Sequence, residues 1–513
     1  MRFILALASL MLFAGCNADS RNGIAPGPNT IVRMSDSEIK GLDPQKISDL
    51  SSLRIAADQF EGLTRLDARG DAEQGLAESW TVSDDGLEWR FRLRDKIIFS
   101  DGQPITAALF PLIFKRLRDE QTAAPAATLF ANIQSVSADE NNIIIRLSQP
   151  APYLPVLMAH PAMAAIPLHL IKSEGGNWTV RRPLVTSGPY QLSTWRLNDH
   201  ARLERNPNWH DSARPVQTII WKPMDSSLSA MRLFLAKGAD ISSDYPESRH
   251  QWLLENDKQA VHSAPYLGAY YFAFNVRRKP FSDPRVRQAL SMAVEREWIA
   301  GQVIGAGNIP AWSILPPDLA DKGAYRPEWA DWPRERRLEA ARTLLAQAGY
   351  DRAYPLRFEI RFNSSAEHRR VSVALAAMWQ PLGVEASQFN SEAALHFSAL
   401  RSHDFALARS GWIADIPTPE NFLAVHQAAN GDGNYSGYDS AAYNDVLTEA
   451  LGTSDAGNRA KLMRRADEIL AKDAPVLPLY YYVTRNLVSP RIKGWQDNIS
   501  NVHPSRTLRI GMR

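Results

Sequence analysis

Leu76-Ala77-Glu78-Ser79-Trp80, then Asp85-Gly86-Leu87-Glu88-Trp89-Arg90-Phe91-Arg92-Leu93-Arg94, then Phe99-Ser100-Asp101-Gly102-Gln103-Pro104-Ile105-Thr106-Ala107, is the stretch on which the reading of the fold turns. Inside it Trp89, Phe91 and Leu93 alternate with Glu88, Arg90, Arg92 and Arg94, so one face of a strand is apolar and the other charged. Ile143, Ile145 and Leu147 read in the same way, and Thr30 to Met34 forms a further strand-like run. Helices alternate with these strands. In one, Ser282 is placed to cap, Pro284 sits in the opening turn where its missing N–H does no harm, and Val286, Leu290, Ala293 and Val294 share a face. In another, beginning around Pro333, Leu338, Ala341, Leu345 and Ala348 form a stripe that stops at Gly349. Mixed strands and helices over this length predict an α/β protein of two or three lobes, with the 33 prolines marking long surface connections.

Composition narrows the class. With 58 Lys and Arg against 56 Asp and Glu, the net charge of +2 gives no reason to expect nucleic acid or an anionic surface as partner. The single cysteine, Cys16, follows Arg2, an apolar or small run from Phe3 to Phe13, and the small pair Ala14-Gly15. That run is too short to cross a hydrocarbon core of ~30 Å as a helix. It reads as an export signal over residues 1–15, with Cys16 as the lipid-bearing residue after cleavage. Residues 16–29, rich in Gly, Pro and polar side chains, read as a tether, and no later segment is apolar for long enough to span a bilayer.

A search for catalytic chemistry excludes the common classes. The chain contains no HExxH, no CxxC, no GxSxG and no GxxxxGK[ST]. Gly305-Ala306-Gly307 lacks the third glycine of a dinucleotide cradle and reads as a loop. Asn430-Gly431-Asp432-Gly433-Asn434 begins like a calcium loop, but Tyr435 and Ala441 stand at the obligatory Gly and Glu positions, so it reads as a turn. His396 and His403 have no metal-ligand spacing. No cofactor, no metal and no enzymatic activity are expected.

The opening stretch resembles the extracellular solute-binding proteins of family 5, which include the oligopeptide- and dipeptide-binding proteins of ABC importers. Ser187-Gly188-Pro189-Tyr190 with Arg205-Asn206-Pro207, Phe281-Ser282-Asp283-Pro284-Arg285-Val286-Arg287-Gln288-Ala289-Leu290, and Ala474-Pro475-Val476-Leu477-Pro478-Leu479-Tyr480 are similar to three further blocks of that family. Leu109 and Ser187 depart from it at positions that look structural. The resemblance implies a periplasmic-binding-protein-like, two-lobed hinge fold (type II, large) with an extra inserted α/β lobe. By analogy lobe I comprises 30–60, 185–268 and 485–513, the inserted lobe 61–184, and lobe III 269–484. It further implies a monomeric receptor in the periplasm or cell envelope, which the reading of Cys16 above would anchor by lipid. The receptor would close over a peptide and hand it to ABC permease and ATPase subunits. Which membrane holds the anchor stays open. So do other solutes on the same fold (a metal chelate, an opine, an oligosaccharide or a murein peptide), and a surface lipoprotein serving adhesion or signalling.

The ligand-bearing segment implied by the resemblance is Ala408-Arg409-Ser410-Gly411-Trp412-Ile413-Ala414-Asp415. Asp415 would pair with the peptide α-ammonium, and the Gly411-Trp412-Ile413 backbone would pair with the peptide as an added strand. Main-chain bonding accepts any sequence, and a carboxylate fixes register by catching a charge common to peptides. Ser48, Asp49 and Leu50 would supply a second backbone edge. Arg409, Arg401 and His368 fall near positions where oligopeptide binders place basic groups for the ligand carboxylate, a task that suits bidentate guanidinium geometry. Against these roles, Asp415 before Pro417 can be a turn aspartate, Trp412 plain core, Gly411 a strand irregularity, and any one arginine a surface residue.

Overall fold

The computed structural model describes residues 24–212, 215–320 and 323–511. The proposed lipidation residue, Cys16, lies outside them. The alternating apolar pattern produces three principal sheets. One has seven strands, among them Thr30–Ser35, Tyr190–Arg196, His200–Arg205, Thr218–Pro223 and Asn486–Val488. A second has six: Pro265–Phe274, Ile309–Pro310, Arg357–Asn363, Glu385–Ser391, Leu407–Ile413 and Val476–Val483. A third has four antiparallel strands, Ala77–Val82, Glu88–Leu93, Ile133–Asp139 and Asn142–Leu147. The opening stretch thus builds half of the four-stranded sheet. Trp89, Phe91 and Leu93 are buried there, while Arg90 and Arg92 on the other face pair with Glu88 and Glu78.

The chain passes between the two large sheets at 263–264 and again at 484–485, just after the strands Val261–His262 and Val476–Val483. The passages are tied together: the Thr484 N–H donates to the Ala264 carbonyl at 2.8 Å, and the Ala264 N–H to the Thr484 hydroxyl at 3.0 Å. Such narrow, hydrogen-bonded crossovers are where a two-lobed protein can hinge. Apolar side chains cover both faces of the six-stranded sheet. Phe272, Phe274, Ile360, Trp379 and Leu407 lie on one face, and Tyr271, Ala408, Phe422 and Tyr481 on the other.

The landmark helices form, with one change of cap. Helix Pro284–Met292 starts from Asp283, whose carboxylate accepts the Arg285 N–H, and not from Ser282. A side-chain oxygen nearer the first turn reaches the free N–H groups better. Val286 and Leu290 are buried on this helix, and Ala293 and Val294 are buried just past its end. Helix Arg334–Gln347 buries Leu338, Ala341 and Leu345, and Gly349 follows with φ +90°. Among the described residues no helix is long and apolar enough to cross a membrane.

Candidate functional site

Strand Leu407–Ile413 lies inside the six-stranded sheet, but only part of it is paired on both sides. Along one edge it runs antiparallel to Pro265–Phe274 over its whole length, from Leu407 opposite Phe274 to Ile413 opposite Gly268. Along the other edge the parallel ladder with Arg357–Asn363 covers only Leu407 and Ala408. Residues 410–413 therefore border a strand position that no described strand fills. An extended ligand can complete that edge with main-chain hydrogen bonds. Gly411 is tightly surrounded at its middle: a Cβ there would stand 3.1 Å from the Tyr482 hydroxyl, 3.2 Å from the Ala269 carbonyl oxygen and 3.5 Å from Arg409 Nη2. Close approach, not strand irregularity, accounts for this glycine.

Asp415 stands just beyond the Ile413 end. It forms no ion pair among the described residues. Its backbone N–H donates to Asn421 Oδ1 at 3.3 Å, and the Trp412 indole N–H donates to the same oxygen at 3.1 Å. Asn421 thereby holds the turn, leaving the carboxylate of Asp415 free. Partial burial raises that carboxyl above its ordinary value of 3.8, with no cation to offset it. Trp412 packs its ring on the core, and Ile413 is 52% exposed. Burial raises the Tyr266 phenol above its ordinary value, and the charges of Arg54, Asp36 and Asp415 also act on it. Arg54 belongs to helix Leu50–Gln59 and pairs with Asp36 at 3.2 Å.

Ser48 and Leu50 are exposed at the start of that helix. The carboxylate of Asp49 is already engaged, accepting the Ser52 N–H at 2.9 Å as the helix cap. Its backbone carbonyl also accepts an N–H, that of Leu53 at 3.0 Å.

Arg409 marks the other end of the open edge. Its guanidinium lies 4.8 Å over the Tyr270 ring, and Nη2 donates to the Tyr482 hydroxyl at 3.2 Å. Its Nε has no partner, and no ion pair among the described residues includes it. Burial opposes its charge, yet the phenol oxygens of Tyr482, Tyr270 and Tyr480 hold the group above its usual value. A buried cation ringed by neutral acceptors is a poised anion site. His368 adjoins it, with Nδ1 3.1 Å from the Tyr270 hydroxyl. Burial, and then the Arg409 charge, push His368 down to about 3, so near neutral pH it serves as a hydrogen-bonding ring and not as a cation. Arg401 ends helix Ala393–Arg401, exposed, and shares no contact with this group.

The sequence assigns no ligand role to Tyr266, Tyr270, Tyr480, Tyr482 or Asn421, and His396 stands out there only as a histidine without metal-ligand spacing. Tyr270 and Tyr480 stack at 4.6 Å, and the Tyr480 hydroxyl donates to Glu367 at 2.5 Å. The run Tyr480-Tyr481-Tyr482 was the available signal, because three consecutive aromatics in a strand must place rings on both faces. Among the described residues no group of three or more His, Cys, Asp or Glu could hold a metal.

The geometry can be set beside known proteins. The family model of the bacterial extracellular solute-binding proteins, family 5 Middle, matches residues 71–434. The chain is 33% identical over 497 residues to the periplasmic oligopeptide-binding protein OppA of Salmonella typhimurium, covering 92% of this chain and 91% of that protein. It overlays the unliganded open form of the periplasmic murein tripeptide binding protein MppA with a TM-score of 0.84 at 30% identity, covering 95% of this chain and 98% of the other. On Haemophilus influenzae OppA in complex with RPPGFSPFR the TM-score is 0.76 at 27% identity, covering 95% and 99%.

Proposed function

The chain belongs to the bacterial extracellular solute-binding proteins of family 5, and we propose on that premise that it is the peptide receptor of an ABC importer. It captures an extended peptide between two closing lobes in the periplasm and delivers it to membrane permease and ATPase subunits. The observation that carries this reading is the pairing of two unmatched charges with an open strand edge: Asp415 at one end, Arg409 at the other, and residues 410–413 between them. The α-ammonium of the peptide meets Asp415, its carboxylate meets Arg409, and main-chain bonds to the edge leave side-chain identity largely free. Six residues at ~3.3 Å each separate the charged pair by at most ~20 Å. The span suits a peptide of roughly three to five residues.

The tighter overlay on an unliganded open form than on a peptide complex supports a ligand-free receptor with its lobes apart. The division into 30–60 with 185–268 and 485–513, 61–184, and 269–484 is part of the same proposal, except that strand Pro265–Phe274 runs unbroken across 268/269, so the hinge is drawn instead at the tied crossovers 263–264 and 484–485. So are a monomeric, non-catalytic body and anchoring by lipid at Cys16, which keeps the receptor concentrated near its permease. Native mass spectrometry of the protein purified gently from periplasm, followed by denaturation, tests the central statement. Released peptides of mixed sequence and narrow length are expected; a single non-peptide mass or a metal would overturn the ligand.

A further inference from the structure

The other face of the six-stranded sheet carries polar atoms that this reading does not use. Arg361 stands beside Ala408 in the parallel ladder, so its side chain leaves the sheet on the face opposite Arg409. On the Arg361 face, Arg361 is level with Phe389 and Asn363 with Ser391. This is the C-terminal end of two parallel strands, the end at which open α/β sheets bind ligands. Helix Ala393–Arg401 packs on the first of these strands and contributes His396, which is fully buried.

Each of these groups keeps a buried polar atom without a partner: Arg361 Nε, Asn363 Oδ1, Ser391 Oγ and His396 Nδ1. The Arg361 guanidinium lies 4.4 Å over the Phe389 ring. No ion pair among the described residues includes it. His396 is tied to the peptide edge, because its Nε2–H donates to the Arg409 carbonyl oxygen at 2.9 Å. Folded proteins leave few buried polar atoms unpaired, and a concentration of them calls for a partner from outside. Opposite charge is what Arg361 lacks.

Resting on the peptide reading above, we propose that Arg361, with His396, Asn363 and Ser391, forms a recess that takes an acidic side chain from the C-terminal half of the bound peptide. An added strand sends alternate side chains to opposite faces of the sheet, so a peptide paired with residues 410–413 directs some of its side chains to this face. Arg361 lies level with the Arg409 end of the edge, where the peptide carboxylate is held, which fixes the half of the peptide concerned. Arg409 and Arg361 both act on the His396 ring. A carboxylate seated beside Arg361 offsets them and makes a protonated, donating ring less costly.

The test is calorimetric titration of the full chain with Ala-Ala-Ala-Ala, Ala-Ala-Glu-Ala, Ala-Ala-Ala-Glu and the two corresponding Gln peptides. At one of the two positions Glu is expected to bind about tenfold more tightly than Gln, as a charge-assisted bidentate pair allows. That ratio should fall to near one in Arg361→Leu and be partly kept in Arg361→Lys. Because the ratio is taken within each variant, a change in overall affinity does not enter it. If Arg361→Leu does not fold, Arg361→Gln is measured in the same way. Tetra-alanine binding with equal Glu and Gln affinities, or a Glu preference that survives loss of Arg361, would overturn the recess alone. Failure of every peptide to bind would remove the peptide reading and the recess with it.

Discussion

Replacing Asp415 by Asn keeps the size of the side chain and the N–H that Asn421 receives, while removing the one charge offered to a peptide ammonium. Two unit charges ~4 Å apart attract by ~4 kcal/mol at the effective dielectric of a protein surface. Asp415 is still exposed over more than a third of its surface in the open form, so solvent screening takes away part of that. Closure restores some of it by excluding water. A loss of ~2–3 kcal/mol follows, or roughly 30- to 150-fold in Kd. The assay is a double-mutant cycle by isothermal titration calorimetry at pH 7, with tetra-alanine and its N-acetylated form against the wild type and Asp415→Asn. Acetylation should weaken wild-type binding about as much as the substitution does, and should cost little more in the variant, because the same pair has already been broken. A loss below about threefold in Asp415→Asn, or full additivity of the two changes, would refute the assignment.

Three further outcomes follow from the same geometry. Burial raises the Asp415 carboxyl above 3.8 in the free protein, and a bound ammonium lowers it, so affinity is complete above the free-state value and falls as pH drops through it. The α-ammonium, with an ordinary pKa of ~7.7–8.0, sets a second decline on the alkaline side; titrations across pH should show both limbs in the wild type and a flattened profile in Asp415→Asn. Arg409→Met should cost ~2–4 kcal/mol of peptide affinity while leaving the ligand-free protein as resistant to urea as the wild type or more so, since it replaces an unpaired buried cation by an apolar chain; a clear fall in the urea midpoint would contradict this account. Gly411→Ala should weaken binding by about tenfold, because the new methyl displaces the Tyr482 hydroxyl from Arg409, and a crystal structure of the variant with Tyr482 unmoved would count against it.

Much of the architecture was legible because burial on one face imposes a period that survives in the chain. Trp89, Phe91 and Leu93, or Leu338, Ala341 and Leu345, declare their elements without knowledge of what they pack on. The segment from Arg409 to Asp415 stood out through the family resemblance, and the groups proposed for it are close in sequence on a single strand and the turn after it. The aromatic ring around Arg409 did not. Tyr270 and Tyr482 come from strands far away in the chain, and only the pairing of Phe272 with Arg409 and of Tyr270 with Tyr480 brings them to the guanidinium. His396 read as an isolated histidine because its partner is the carbonyl of a residue on another element.

The local periods, the near-neutral charge, the lone Cys16 behind an apolar run and the motif blocks that carry the family can all be read from the residues in order. These depend on residues near one another along the chain, whose constraints are written in order. Which charged groups remain unsatisfied emerges from the folded chain alone. Asp49 and Asp415 carry the same side chain, yet one carboxylate caps a helix and the other forms no ion pair among the described residues. Arg401, Arg409 and Arg361 are equally basic in the sequence, but the first is exposed, while the other two lie over aromatic rings with an unpaired Nε. Whether a charge finds a partner depends on strand register and on where distant segments end, and those are properties of the folded sheet.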